Sequence, residues 1–131
     1  MSAAPGQYRK KLDGDGWELD EFTMDERFVA VNVAGKGLIV FAACSHAGTI
    51  NVLKHAKRTF QDVPIHAVVG GLHLAGSNEE NLPETVEIDA RIQPAYIVAG
   101  HCTGWRAMTA LAKAFGEEKI VPLSIGKRFS F

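Results

Sequence analysis

Leu38-Ile-Val-Phe-Ala-Ala-Cys-Ser-His-Ala-Gly48 decides the fold. Its first six residues, Leu38 to Ala43, are apolar without interruption. Such a run reads as a strand buried on both faces, because a strand with one wet face alternates polar with apolar residues. Beyond it, Val52, Leu53, Ala56 and Phe60 recur at helical spacing, while Lys54, Lys57 and Arg58 fall on the other side. A helix is therefore expected from Thr49 to Phe60, with Thr49 as its N-cap. A buried strand that feeds directly into an amphipathic helix is the repeating unit of α/β folds.

The pattern continues in both directions. Upstream, Phe28 to Val33 reads as a strand joined to Leu38–Ala43 by a hairpin turn at Ala34-Gly35-Lys36-Gly37, where glycine supplies the positive φ. Downstream, Pro64 to Val69 is a strand and Leu82 to Arg91 a helix, with Pro83 in the first turn where a missing N–H does little harm. Ala95 to Ala99 is a strand. Gly104 to Phe115 is a helix stopped by Gly116. Lys119 to Leu123 is a short strand in which Pro122 marks either a sheet edge or the end of the strand. Arg128 to Phe131 is expected to close the sheet. The order is ββαβαβαβ, an α/β fold. Residues 1–27 form a polar N-terminal segment with a strong turn signal at Asp13-Gly14-Asp15-Gly16. Trp17, Leu19 and Phe22 are expected to dock it on the core. Residues 28–131 form the domain proper.

Composition narrows the function classes. The 131 residues suit one domain, and 47% apolar with 22% charged residues is ordinary for a globular protein. A net charge of −1 without a long basic run argues against nucleic acid and anionic membranes as partners. No apolar run approaches the roughly 20 residues of a membrane-spanning helix. Met1-Ser-Ala-Ala-Pro-Gly6 lacks the charged-then-apolar pattern of a secretory signal, so a cytoplasmic location is expected. The two cysteines, Cys44 and Cys102, each lie beside a histidine at a strand end, which suggests a site more than a disulfide framework.

Three strands end alike, at Cys44-Ser-His46, at Gly70-Gly-Leu-His73 and at Gly100-His-Cys102. If these strands are parallel, His46, His73 and His101 gather at one edge of the sheet, where α/β proteins hold their ligands. Neutral imidazole is the commonest metal ligand, and zinc takes N, S or O donors. His46, His101 and His73 are therefore metal-ligand candidates. Cys44 is either a soft ligand or a small buried residue. His55 and His66, inside a helix and a strand, read as structural. Arg106, at the start of a helix just after His101, is a candidate for binding an anionic substrate group. Cys44-Ser45-His46 also admits a weaker reading as a nucleophile beside its base, although no Gly-x-Ser-x-Gly elbow is present.

The blocks Gly37 to Asn51, Gly70-Gly-Leu-His-Leu74 and Gly100-His-Cys-Thr-Gly104, in this order and spacing, resemble the C-terminal half of the metallo-β-lactamase superfamily. Within it they are similar to the dihydropterin-ribofuranosylaminobenzene-phosphate synthase-like branch, over a match running from about residue 25 to 131. The resemblance implies half of an αββα sandwich. It also implies one or two divalent metals, usually zinc, with manganese or iron as alternatives. It aligns His101 with the last metal histidine of the superfamily, places His46 or Cys44 at a strand-end ligand position, and leaves His73 as ligand, support or substrate contact. The His-x-His-x-Asp-His run that members carry in their N-terminal half is not found in these 131 residues.

Two functions are therefore expected. The first is a partial metal-dependent hydrolase-like domain, with metal-activated water directed at a phosphoester or ester-like bond of a small molecule. The second is a non-catalytic half-domain that serves as an interaction or binding subunit. Either way, strands apolar on both faces need a second layer. A homo-oligomer or a separate N-terminal half is expected to supply it.

Overall fold

The structure, a computed structural model, describes residues 8–21, 23 and 26–131. Its main body is a five-stranded sheet in the order β3-β4-β5-β6-β7. β3 (Phe28–Val33) and β4 (Gly37–Ala42) form the expected antiparallel hairpin. Gly35, at φ 74°, turns the chain between them. β5 (Ile65–Gly71), β6 (Tyr96–Gly100) and β7 (Ile120–Pro122) then add in parallel, with β7 at the edge and Pro122 as its last residue, which meets both expectations for that proline. The connections are α1 (Thr49–Thr59), α2 (Leu82–Ile92) and α3 (Trp105–Phe115). The α/β reading and the ββαβαβαβ order therefore hold.

All three helices pack on one face of the sheet. Leu38, Val40 and Ala42 of β4, Ile97 and Ala99 of β6 and Ile120 of β7 meet Leu53 and Ala56 of α1, Val86 of α2, and Ala107 and Leu111 of α3. Burying a Leu or Ile side chain contributes about 1.5–3 kcal/mol, so this interleaved layer dominates the stability. The opposite face carries a smaller cluster, Ile39, Ala67, Val69 and Val98, and among the described residues no helix packs on it. Phe129 and Phe131 of the C-terminal segment pack against this cluster instead. They do so without forming a strand, so the expectation that residues 128–131 close the sheet is corrected. Their aromatic rings cover part of the face, and Phe131 lies against His66 and Tyr96. The rest of that face stays open, with Val29 61%, Val31 45% and Phe41 39% exposed.

Two further expectations change. β1 (Tyr8–Lys10) and β2 (Trp17–Leu19) pair as a separate two-stranded sheet, and Trp17 and Leu19 are exposed rather than docked on the core. Phe22 lies outside the described residues. Thr49 does not cap α1. Gly48 occupies that position with φ 93°, and the Thr49 hydroxyl is used elsewhere. Among the described residues, no helix is long and apolar enough to cross a membrane.

Candidate metal centre

Because β4, β5 and β6 run parallel in register, their carboxyl ends lie side by side. Each strand empties into a loop that carries a non-glycine residue with positive φ: Ser45 at 61°, His73 at 50° and His101 at 54°. L-residues avoid this region, at a cost of order 1 kcal/mol or more each. Such conformations persist where the surroundings enforce them. Here they curl three loops back over the sheet edge.

Buried hydroxyls lock the loops together. Ser45 Oγ donates to Gly71 O at 2.8 Å, and Thr49 Oγ1 to Leu72 O at 2.9 Å. Thr103 Oγ1 accepts from Leu72 N at 3.1 Å and donates to Gly100 O at 2.7 Å. One residue stretch of the middle loop, Gly71-Leu72, is thus held from both sides. Glu26 ties in the hairpin, accepting the backbone N–H groups of His46 and Ala47 at 2.6 Å each.

The loops bring the chemistry-bearing side chains into two groups. In the first, Cys44 Sγ lies 3.3 Å from His101 Nδ1, and Cys102 joins them, with one ligand atom of each residue within 4.8 Å of the others. In the second, the rings of His46 and His73 meet edge to face, with centroids 4.5 Å apart. Burial holds the His73 imidazole below its usual range; neighbouring His46 and His101 push the same way and Glu26 opposes them. Burial pushes the Cys102 thiol up to about 11, against the His73 backbone and with Cys44. Gly71 makes the first group possible. A Cβ there would lie 2.7 Å from Cys102 Sγ and 3.1 Å from the Cys44 Cα.

All four sequence-designated ligands, His46, His73, His101 and Cys44, therefore reach the same edge, but His101 is grouped with Cys44 and His46 with His73. Two thiols and an imidazole are a donor set that suits zinc or a related soft divalent ion, so the first group fits a metal. Arg106 sits outside both groups. Its guanidinium pairs with Glu79 Oε1 at 3.2 Å and lies 5.1 Å from the centre of the exposed Trp105 ring. His55 packs against Phe28 and His66 against Tyr96, in line with their structural reading.

Cys102 is not among the four ligands expected from sequence, and the structure adds it: the backbone at His101 is left-handed, and Cys102 joins Cys44 and His101. A His-Cys pair immediately after a buried strand was the available signal. Glu26 and Thr103 carried no signal for the loop-locking bonds to His46, Ala47 and Leu72, and Thr49 suggested a helix cap instead, since those partners are remote in the chain.

No family model matches the chain. It is 32% identical over 108 residues to the 7,8-dihydropterin-6-methyl-4-(beta-D-ribofuranosyl)-aminobenzene-5'-phosphate synthase of Methanocaldococcus jannaschii, a match covering 82% of this chain and 36% of the relative. An uncharacterized protein of the same organism is 32% identical over 99 residues, covering 76% and 35%. In structure the chain is similar to a metal-dependent hydrolase of the β-lactamase superfamily, with TM-score 0.83, 29% identity, and 95% of this chain matched to 46% of that one. The chain thus spans about a third of the length of the curated relatives and under half of the solved structure.

Proposed function

This chain belongs to the metallo-β-lactamase superfamily, and we propose that it is the part of a metal-dependent hydrolase that contributes Cys44, His101 and Cys102 as ligands. The observation that carries the reading is the convergence of those three donors at the carboxyl ends of parallel strands. Cys44, His101 and Cys102 would hold a divalent ion, zinc by donor type, which would supply Lewis acidity and an activated water. His101 and the two cysteines bind and orient. His46 and His73 stand beside them as further ligands or as groups that hold a proton on the attacking side. The depressed pKa of His73 keeps its imidazole neutral, and so able to ligate or accept a proton. Arg106 faces an anionic substrate group once it leaves Glu79, which it pairs with at a solvent-exposed site. The reaction class is hydrolysis of a phosphoester or ester-like bond in a small molecule.

The active form includes a second layer, supplied by another segment, a separate chain or a second copy, that carries the remaining ligands. Turnover of a chromogenic phosphodiester with added zinc or manganese tests the proposal. Activity that His101→Ala abolishes supports it. A chain that retains no metal after dialysis and turns over nothing, alone or with a supplied N-terminal half, removes it.

The open sheet face favours a second reading, in which the chain serves as a non-catalytic subunit. Val29, Val31 and Phe41 form an apolar surface beside the hairpin. Binding of a partner in the absence of any bound metal is the outcome that separates this reading from the first.

A further inference from the structure

Cys44 and Cys102 are both free thiols, half-buried, 58 residues apart in sequence. Their sulfurs lie within 4.8 Å. The Cys102 thiol donates to the Cys44 carbonyl at 3.4 Å, so the two residues already hold each other at the sheet edge. Between their strands runs β5, and it ends in Gly71, whose missing side chain leaves the space the two cysteines share. Both cysteines are only half-buried, and Cys44 Sγ contacts His101, an exposed residue, so the pair lies at the solvent edge of the fold.

We propose that Cys44 and Cys102 are a redox pair, which a hydroperoxide oxidises to an intramolecular disulfide across the ends of β4 and β6. In the first step one cysteine gives up its proton and its thiolate sulfur attacks a peroxide oxygen. The S–O bond forms, the O–O bond breaks, and the thiol proton leaves with the departing oxygen as water or alcohol. In the second step the other thiol attacks the sulfenic sulfur. The S–S bond forms, the S–O bond breaks, and the hydroxide takes the second proton away as water. Two electrons pass from the two thiols to the peroxide. The left-handed turn at His101 and the one-sided packing over Gly71 bring the sulfurs together, whereas two cysteines held in regular positions on strands two apart would stay separated.

A regulatory consequence follows, and it rests on the metal reading above. Thiolates that hold a metal have their lone pairs engaged, and a disulfide offers no thiolate to a metal. Metal occupancy and oxidation therefore exclude each other, so peroxide switches the site off and metal protects it.

The whole chain, stripped with a chelator, is treated with hydrogen peroxide, alkylated under denaturing conditions, weighed intact and mapped by peptide. The expected result is loss of two hydrogens, no alkylation, and a Cys44–Cys102 linked peptide that a thiol reductant reverses. Cys44→Ser and Cys102→Ser chains are each expected to lose no such pair of hydrogens. Thiols that remain alkylatable, or separate sulfinic acids, or a link between two chains, overturn the pair. A parallel arm with zinc present separates the two ideas. Equal oxidation with and without zinc removes the metal reading while the pair stands. No disulfide in the zinc-free chain removes the pair, whatever zinc does.

Discussion

Cys44 Sγ and His101 Nδ1, 57 residues apart in the chain, lie 3.3 Å from each other. Cys44 follows β4 and His101 follows β6, so their contact spans the strand between them. It is the centre of the candidate metal cluster, and most of what can be tested follows from it.

Replacing one donor should weaken metal binding without unfolding the chain. Cys102→Ser is expected to reduce zinc affinity tenfold or more, about 1.4 kcal/mol. Cobalt substitution checks this, because a thiolate–cobalt absorption band should weaken in Cys102→Ser and persist in His46→Ala, which removes no group from that cluster.

Thr103 tests how the loops are locked. Thr103→Val keeps the shape but leaves the Leu72 N–H buried with no acceptor. The expected loss is about 1–3 kcal/mol, read from chemical denaturation of the metal-free chain. A change within about 0.5 kcal/mol would mean that the hydroxyl bridge contributes nothing to the loop geometry.

His73 predicts a pH dependence. Its folded pKa lies below the ordinary 6.5, so the unfolded chain binds the proton more readily. Stability of the metal-free chain should therefore be fully present above 6.5 and fall as pH drops below it. His73→Asn, which tolerates the left-handed backbone at φ 50°, is expected to flatten that part of the profile. Denaturation midpoints across the acid range measure it.

Gly71→Ala places a methyl group 2.7 Å from both Ala43 O and Cys102 Sγ. Overpacking of this kind costs about 1–3 kcal/mol. Because the added methyl group displaces Cys102, the variant is also expected to lose metal affinity, whereas a remote glycine such as Gly14, with open space around it, should accept alanine freely.

The open face predicts association. A chain whose Val29, Val31 and Phe41 find a partner layer should sediment as a dimer or capture a separate N-terminal half. Phe41→Glu together with Val31→Lys is expected to return it to a monomer. A wild-type monomer that binds no hydrophobic dye would show that the C-terminal aromatic residues cover enough of the face unaided.

Much of this was legible in the residues themselves. The uninterrupted run Leu38–Ala43 identified the strand but overstated its burial, since on the second face only Ile39 is buried while Phe41 and Ala43 are exposed; the helical spacing of Val52, Leu53 and Ala56 identified its helix, because periodicity is a local property. Three histidines just past three strand ends were expected to gather if the strands are parallel, and the parallel pairing of β4, β5 and β6 brings those ends to one edge of the sheet. Thr49 misled because an N-cap and a hydrogen bond to a neighbouring loop ask for the same hydroxyl; Gly48 holds the cap position and the Thr49 hydroxyl donates to Leu72 O.

The sequence alone thus determined the order of elements and the strand ends that carry the histidines and cysteines. Only the tertiary structure decided who meets whom there. Parallel register set the strand ends level, left-handed residues at Ser45, His73 and His101 turned the loops inward, and Gly71 left the room in which Cys102 joins Cys44 and His101. The covering of the second sheet face by Phe129 and Phe131 was decided there too. Contacts of this kind depend on distances between residues far apart in the chain, and no local pattern encodes them.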